Sequence, residues 1–271
     1  MIDPVLLKVL GFEIRWYSVL ILLAVIVAYF IVLNESKRFK ISKEFVFNLA
    51  FWTMIFGIIG ARLYYVIFNF DYYKQDLTEI VKIWHGGLAI HGGLLFGLIT
   101  VIVYCKKYNV RVKKMLDIIA PAVIIAQAIG RWGNFFNQEA YGNAVEYMTL
   151  VNMKIIPQFV IDNMCVNGVY HLPMFYFESL ACIIGFIILL IIRRRKYTKV
   201  FQVFASYLVI YGMIRFFIEF FRTDALMLGP IRVAQVASII MFIVGLIIII
   251  KQKTSLKLEN LYNQSEDVVM F

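Results

Sequence analysis

The chain has 271 residues, of which 62% are hydrophobic and only 16% are charged, and it carries a net charge of +10. A soluble domain has about a quarter charged residues, so this chain has too little polar surface to cover its apolar residues in water, and we infer that lipid surrounds it. The basic residues form short clusters between long apolar runs, which is typical of a polytopic membrane protein and argues against a nucleic-acid-binding surface.

The cysteines of the chain are Cys105, Cys165 and Cys182. Their number is odd and no two form a Cys-x-x-Cys pair, so the pattern argues against both a disulfide framework and a zinc site. The first apolar run lacks a basic leading segment and a small-residue cleavage site. We therefore expect this run to remain as a membrane span.

Long apolar runs recur along the whole chain, and a membrane helix needs about 20 mostly apolar residues. The sequence predicts seven such spans, at residues 17–33, 45–68, 86–104, 115–129, 175–192, 201–221 and 233–250. The fourth of these is the shortest. The predicted fold is therefore an all-α polytopic membrane protein with about seven transmembrane helices.

Basic clusters follow the first, third, fifth and seventh predicted spans. They contain Lys37, Arg38, Lys40 and Lys43; Lys106, Lys107, Arg111, Lys113 and Lys114; Arg193, Arg194, Arg195, Lys196 and Lys199; and Lys251, Lys253 and Lys257. Loops rich in lysine and arginine stay in the cytoplasm, which predicts an N-terminus outside and a C-terminus inside. We expect one transmembrane catalytic domain over residues 1–250, with an extracytoplasmic cap segment at 131–174, and a polar cytoplasmic tail at 251–271 that is loosely ordered from Thr254.

Ionisable residues inside membrane spans are costly and therefore mark candidate sites. The sixth predicted span carries Tyr211, Arg215, Glu219 and Arg222, at separations of four, four and three residues. These separations place all four side chains on one helical face. Two interpretations remain open at this point, an Arg215–Glu219 ion pair that only holds helices together and a functional site.

A polar run punctuated by glycines, residues 130–142, follows the fourth predicted span. Arg131 supplies a planar guanidinium that suits phosphate, and Asn134, Asn137 and Glu139 add hydrogen-bond donors and acceptors. An ordinary helix end followed by a turn is the alternative interpretation of this run.

His91 stands near the outer end of the third predicted span, beside several glycines. A lone histidine on an apolar helix is more often a packed core residue than a catalyst, and the glycines are also typical of tight helix packing. However, His91, Arg131 and Arg215 are all predicted at the outer ends of their spans. This convergence of three spans favours a site. His85 lies six residues from His91 and on another helical face, which argues against a shared metal ion.

The run 130–142 fits the pattern Gly-Arg-x-Gly-Asn-Phe-x-Asn-x-Glu-x-x-Gly at every fixed position, and it resembles the signature of the prolipoprotein diacylglyceryl transferase family. Shorter matches to the family are Trp16-Tyr17, His91-Gly92-Gly93-Leu94, Asp117, Tyr211-Gly212, Arg215-Phe216 and Glu219-Phe220 with Arg222. The chain departs from the family at Ser18, where glycine is usual, and around Glu178. There Phe177 replaces a tyrosine and His171 is displaced by one position, so no role is assigned to His171 or Tyr176.

The resemblance implies an enzyme that transfers the diacylglyceryl group of phosphatidylglycerol to the lipobox cysteine of bacterial prolipoproteins, forming a thioether and releasing glycerol 1-phosphate. It implies a multi-pass protein of the bacterial cytoplasmic membrane whose active site faces the extracytoplasmic leaflet. The expected partners are phosphatidylglycerol, the prolipoprotein lipobox peptide and membrane lipids, with no nucleic acid. We expect a monomer that needs no cofactor and no metal.

The resemblance also assigns residue roles. The candidate catalytic residues are His91, Arg131, Arg215 and Glu139, and the candidate substrate-binding residues are Tyr17, Asn134, Asn137, Gly142, Tyr211, Glu219 and Arg222. Arg131 and Arg215 would bind the phosphate with help from Asn134, and His91 is the candidate general base. Glu139 and Glu219 would orient the arginines or the substrate. Tyr17 and Tyr211 would position the headgroup.

Other functional classes make different predictions. A transporter or flippase for an anionic lipid or metabolite predicts inverted repeats and broken spans near the bilayer centre, whereas this sequence has no such repeat and its polar groups gather on one side. An intramembrane serine protease needs a serine in a nucleophile motif, and none is recognisable here. A purely structural membrane protein would not explain the signature.

Overall fold

A computed structural model describes residues 3–9, 12–254 and 261–264 of the chain. The strands in this part form three small antiparallel hairpins. They are β1 (Val5–Val9) with β2 (Phe12–Arg15), β3 (Cys165–Val166) with β4 (Val169–Tyr170), and β5 (Met227–Leu228) with β6 (Ile231–Arg232).

Helices make up most of the described fold. In chain order they are α1 (Trp16–Lys37), α2 (Lys43–Phe68), α3 (Phe70–Tyr73), α4 (Ile90–Lys107), α5 (Val112–Asn137), α6 (Tyr147–Asn152), α7 (Gln158–Asp162), α8 (Met174–Arg194), α9 (Gln202–Phe221) and α10 (Val233–Thr254). Within the described residues, six helices are long and apolar enough to cross a membrane: α1, α2, α4, α8, α9 and α10. The prediction of an all-α polytopic membrane protein is therefore confirmed.

The predicted fourth span lies within α5. This helix has 26 residues, and at 1.5 Å per residue it is roughly 39 Å long, which is enough to cross a bilayer. It is nevertheless not one of the six candidate spans. The count of seven spans thus stays a prediction.

The outer end of α5 differs from the prediction. The helix continues past Ile129 to Asn137, so the first seven residues of the predicted cap segment, 131–137, are helical. Trp132, Phe135 and Phe136 recur at helical spacing and pack against the apolar cluster of the segment that follows. This packing favours about two more turns of helix over the turn that the glycines indicate.

The start of α4 also differs from the prediction, since the helix begins at Ile90 and not at residue 86. Gly86 and Gly87 have φ angles of +86° and +76°. Such angles lie outside the right-handed helical region, so these two glycines form a turn before the helix.

The first compact unit of the chain contains the described residues of Met1–Ile31 and Leu116–Ser265. Helices α5, α8 and α9 meet there around one apolar cluster, formed by Ala120, Ile124, Ala128, Cys182, Leu189, Val203 and Tyr207. Asp117 is fully buried and accepts the backbone N–H groups of Phe201 and, at 2.8 Å, of Phe204. The carboxylate thereby caps the N-terminus of α9 and joins it to α5.

The connection between α5 and α8, residues 138–173, folds on an apolar cluster of its own. The buried members of this cluster come from the connection and from the adjoining ends of α5 and α8: Phe135, Leu150, Ile156, Val160, Ile161, Met164, Phe175 and Tyr176. Two short helices, α6 and α7, and the β3–β4 hairpin are thereby held on the ends of the two long helices. The Tyr176 hydroxyl donates to the carbonyl of Ile155 at 2.8 Å, which ties α8 to this connection.

The second compact unit includes the residues Val32–Met115, with α2 and α4 packed side by side. A Cβ atom at Gly92 would lie 2.2 Å from the carbonyl oxygen of Gly60, and one at Gly93 would lie 3.4 Å from that of Gly57. These glycines therefore allow the two helix backbones to approach closely, as small residues do in membrane helix pairs.

Arg62 lies in α2 and is almost completely buried. Its guanidinium donates to five backbone carbonyl groups, those of Glu79, Ile80, Lys82, Gly86 and Gly87. A guanidinium has five N–H donors, so these bonds use its full capacity. Arg62 thus fixes the segment that leads into α4.

Part of the predicted polar tail is packed against the protein. Leu261 and Tyr262 are buried, and the Tyr262 N–H donates to the carbonyl of Thr198 at 2.7 Å. The expectation of a loosely ordered tail is therefore wrong for residues 261–264, because the aromatic ring finds a buried position. Residues 255–260 and 265–271 of that prediction lie outside the described part of the chain. The single catalytic domain at 1–250 stays a prediction.

Candidate active site

Four charged side chains from three helices meet in the first unit. The Arg131 Nη2 atom on α5 lies 2.9 Å from Oε1 of Glu178 on α8. The Arg215 Nη1 atom on α9 lies 3.4 Å from the other carboxylate oxygen of Glu178, and its Nη2 atom lies 2.6 Å from Oε2 of Glu219. Glu178 therefore joins the two arginines that the sequence proposes as the phosphate clamp.

The two glutamates of this ion cluster are buried, with 2% of the Glu178 side chain and 1% of the Glu219 side chain exposed. Both arginines are partly exposed. Charges removed from water are costly unless they are paired, and here two positive charges match two negative ones. The buried carboxylates fix the guanidinium groups, while the arginines keep an accessible side that can receive an anion.

Tyr211 lies one helical turn before Arg215, and its hydroxyl contacts Oε1 of Glu178 at 3.5 Å. Its ring stacks on that of Tyr207, with centroids 5.9 Å apart and planes 7° apart. The Tyr207 hydroxyl in turn accepts a hydrogen bond of 3.1 Å from Nε2 of Gln127. Polar groups thus continue from the ion cluster towards the N-terminal ends of α5 and α9.

The end of α5 carries the amide groups of the signature. Asn134 and Asn137 both donate from Nδ2 to Oε1 of Glu139, at 3.0 and 3.2 Å, and Arg131 donates to Oδ1 of Asn134 at 3.4 Å. Glu139 itself is exposed in the turn after the helix. The structure thus joins Arg131, Asn134, Asn137 and Glu139 in one continuous set of hydrogen bonds.

Tyr17 packs against this same helix end. A Cβ atom at Gly133 would lie 2.5 Å from Cδ2 of the Tyr17 ring, so the glycine at this position allows the ring to lie against the backbone of α5. The neighbouring Trp16 ring stacks on Phe136, with centroids 4.7 Å apart. Tyr17 is therefore held beside the residues that the sequence predicts as headgroup ligands.

Gly142 is engaged through its backbone. Its N–H donates to the carbonyl of Leu172 at 2.8 Å, and its carbonyl oxygen lies 3.0 Å from Nδ1 of His171. A Cβ atom there would lie 2.8 Å from Cγ of Met174. The need for glycine thus has a packing explanation, and direct contact of Gly142 with substrate stays a prediction.

Arg222 lies just beyond α9 and pairs with Asp224. Its Nε and Nη2 atoms donate to the two carboxylate oxygens at 3.0 and 2.9 Å. Partial burial opposes ionisation of this carboxyl, but the hydrogen bonds from Arg222 outweigh it and hold the pKa of Asp224 below its usual value. The backbone of Arg222 also forms an antiparallel β-bridge with that of Gly142. This arginine therefore connects the end of α9 to the last residue of the signature run 130–142.

His91 belongs to the second unit, where it stands in the first turn of α4. Its side chain is exposed, and its ring centroid lies 6.2 Å from that of Tyr64 on α2. The close packing of Gly92 on α2 and the N–H of Ala89, which donates to the Ala61 carbonyl at 3.0 Å, fix this first turn. The imidazole of His91 is thus an exposed group on a fixed helix start.

Glu178 is the central residue that the sequence analysis left without a role. The family element around it is blurred by Phe177 and by the shifted His171, so the resemblance gave no assignment. A signal was nevertheless present, because Glu178 is an acidic residue inside the predicted fifth span. Within the described residues, no group of three His, Cys, Asp or Glu side chains lies close enough together to hold a metal ion.

Comparison with known proteins gives the family. The family model described as prolipoprotein diacylglyceryl transferase matches residues 4–251. A phosphatidylglycerol–prolipoprotein diacylglyceryl transferase of Staphylococcus haemolyticus is 46% identical over 253 residues, which cover 93% of this chain and 89% of that protein. One of Listeria innocua is 43% identical over 255 residues, covering 94% of this chain and 91% of the relative. The chain therefore belongs to the prolipoprotein diacylglyceryl transferase family.

Proposed function

We propose that this chain transfers the diacylglyceryl group of phosphatidylglycerol to the lipobox cysteine of a bacterial prolipoprotein, as the first step of lipoprotein maturation. Membership of the family supports this reaction, because the relatives are named for both substrates. The structural observation that carries the proposal is the pair Arg131 and Arg215 held on one buried glutamate. Two fixed guanidinium groups suit the phosphate of an anionic lipid.

In the proposed reaction the thiolate sulfur of the substrate attacks the saturated glyceryl carbon that carries the phosphate ester. A carbon–sulfur bond forms, the carbon–oxygen bond breaks, and glycerol 1-phosphate leaves with the bonding electrons. Two tasks remain for the protein. It must help to deprotonate a thiol whose pKa is about 8.5, and it must neutralise the charge on the departing phosphate.

Charge neutralisation is the proposed role of Arg131 and Arg215. A guanidinium offers five N–H donors. Contacts with Glu178 and Asn134 use only some of those on Arg131, so donors remain for the lipid phosphate. Glu178 and Glu219 act as positioning residues, because they hold the arginines in place before substrate arrives. Such preorganisation is what makes electrostatic stabilisation effective.

The remaining site residues are proposed to orient the headgroup and the acceptor. Asn134 and Asn137 both donate to the exposed Glu139, and Tyr17 packs on Gly133 at the same end of α5. The Tyr211 hydroxyl on α9 contacts Glu178 in the ion cluster. Gly142 and Arg222 pair through their backbones, which joins the turn after α5 to the end of α9. His91 is the proposed general base, because imidazole has an unperturbed pKa of about 6.5, close to neutral pH.

We propose that the protein is a monomer in the bacterial cytoplasmic membrane, with its N-terminus and active site on the extracytoplasmic side. The candidate spans α1, α4, α8 and α10 each end in basic residues or lead into a basic loop, and lysine- and arginine-rich ends face the cytoplasm.

Orientation is tested by reporter fusions. Fusions after Lys40, Lys107, Arg195 and Lys253 should all report a cytoplasmic position, because each lies within a basic cluster. A fusion within residues 143–146, in the connection between α5 and α8, serves as the opposite control and should report an outside position. One clear outside signal among the first four would contradict the seven-span arrangement.

Lipid transfer to a lipobox peptide is the test of the proposed activity. Purified protein in vesicles containing phosphatidylglycerol should convert the peptide cysteine to a diacylglyceryl thioether, detected by mass, and should not do so in vesicles of phosphatidylcholine alone. Movement of phosphatidylglycerol across the bilayer without any thioether would favour the flippase alternative instead.

A variant with Cys105, Cys165 and Cys182 replaced by alanine should remain active, because the acceptor thiol belongs to the substrate.

Substitution of the arginines tests the phosphate clamp. Arg131→Lys and Arg215→Lys should each lower kcat by roughly 10²-fold, the usual effect of removing one stabilising donor, because an ammonium group cannot replace a planar fork that also pairs with Glu178. The matched control is Arg38→Lys, which alters an arginine paired with Glu35 outside the site and should leave turnover near normal. Near-normal turnover in Arg131→Lys would show that only diffuse charge is needed there.

The pH profile of transfer tests the general base. His91→Gln should lower the rate by about 10²- to 10⁴-fold, the usual range for loss of a general base, and the remaining rate should rise with pH as hydroxide generates thiolate. His85→Gln is the control, since His85 pairs with Glu79 on the surface at 2.8 Å. A small loss with an unchanged profile in His91→Gln would leave Glu139 as the candidate base.

A further inference from the structure

Beyond the ion cluster, the pair formed by Gln127 and Tyr207 is incompletely hydrogen-bonded. Gln127 on α5 donates from Nε2 to the Tyr207 hydroxyl at 3.1 Å, but its amide oxygen is buried and has no hydrogen-bond partner among the described residues. Tyr207 is itself buried, in the apolar cluster that also contains Ile124, Ala128 and Cys182. A buried polar group left without a partner is destabilising and rare in native proteins.

The chemistry of this pair points to one kind of ligand group. The Tyr207 hydroxyl accepts from Gln127 and therefore retains its own proton to donate, while the Gln127 oxygen retains its capacity to accept. If the amide is turned over, the tyrosine donates to the amide oxygen, and the amide N–H groups remain as donors while the tyrosine oxygen remains as an acceptor. A hydroxyl group both donates and accepts, so a single ligand hydroxyl satisfies the pair in either arrangement.

The position of the pair relative to the proposed phosphate site indicates which hydroxyl this is. Gln127 precedes Arg131 by four residues on α5, so the two side chains lie on one face about 6 Å apart along the helix. On α9, Tyr207, Tyr211 and Arg215 follow one another at the same interval, and the two tyrosine rings are stacked. A phosphate held by the arginines and a hydroxyl held by Gln127 are thus separated by one helical turn, a span that a three-carbon headgroup covers.

We propose that Gln127 and Tyr207 form a hydroxyl-binding subsite that recognises the glycerol headgroup of the lipid substrate and thereby selects phosphatidylglycerol over phospholipids without headgroup hydroxyls. This inference rests on the proposed function, because it requires the phosphate to bind Arg131 and Arg215. It adds a specificity role that neither the signature nor the charged cluster supplies. The subsite orients the leaving group and takes no part in bond making or breaking.

The test compares two lipids of equal charge. Phosphatidylpropanol has the same phosphodiester and a three-carbon headgroup, but it lacks both hydroxyls. The wild-type protein should transfer from phosphatidylglycerol with a kcat/KM roughly 10- to 100-fold higher than from phosphatidylpropanol, because without a ligand hydroxyl the pair stays unsatisfied. Gln127→Leu should lower kcat/KM for phosphatidylglycerol to near the value for phosphatidylpropanol and leave the latter unchanged.

Tyr207→Phe provides a second, independent variant, because it removes the hydroxyl and keeps the ring stack with Tyr211. It should lose the same discrimination, and the double variant should lose no more than either single one, since both residues hold one ligand group. The control is Thr100→Val, which removes a buried hydroxyl that donates only within its own helix, to the Phe96 carbonyl at 2.8 Å. It should leave the ratio between the two lipids unchanged.

Three results would overturn the inference. Equal losses for both lipids in Gln127→Leu would mean that the amide is structural, and equal wild-type activity with both lipids would mean that a water molecule satisfies the pair. In either case transfer itself continues, so the proposed function survives. A wild-type protein that transfers from neither lipid would instead refute the proposed function and the subsite together.

Discussion

Pairing of buried charge is the constraint on which the site depends. In lipid or in a protein interior, a carboxylate or guanidinium is tolerated only when an opposite charge or several hydrogen bonds meet it. Glu178 satisfies this requirement for two arginines at once, and Glu219 adds a second contact to Arg215. Because the partners stand on three different helices, the ion cluster fixes α5, α8 and α9 relative to one another. The same contacts that hold these helices therefore also fix the two arginines that we propose bind the lipid phosphate.

Arg62 meets the same constraint in a different way. Its side chain is more deeply buried than those of the two site arginines. Its acceptors are backbone carbonyl groups, and they use all five of its donors. No donor remains for a ligand, so Arg62 is structural. Arg131, by contrast, shares its donors between Glu178 and Asn134 and keeps an accessible side. The number of unused donors, and not burial alone, distinguishes the arginines that we propose bind phosphate from the structural Arg62.

Several features of the fold follow directly from the sequence. Apolar runs of membrane length predicted α1, α2, α8, α9 and α10 closely, because lipid requires every backbone group to be satisfied within the helix. The spacing of Arg215 and Glu219 predicted that they share one helical face, and their ion pair was one of the two interpretations left open there. The boundaries of α4 and α5 were less predictable, because they depend on two positive φ angles at Gly86 and Gly87 and on the packing of Trp132 and Phe135.

The sequence by itself determined the class of the protein, the helices that carry the polar residues and, through the signature at 130–142, the family. These properties depend on local composition and spacing, which can be read along the chain. The central position of Glu178 and the unsatisfied amide of Gln127 were decided only by the tertiary structure. Each depends on side chains that are distant in sequence, on α5, α8 and α9. Which of these distant groups meet is determined by how the helices pack, because hydrogen bonds and ion pairs form only at contact distance.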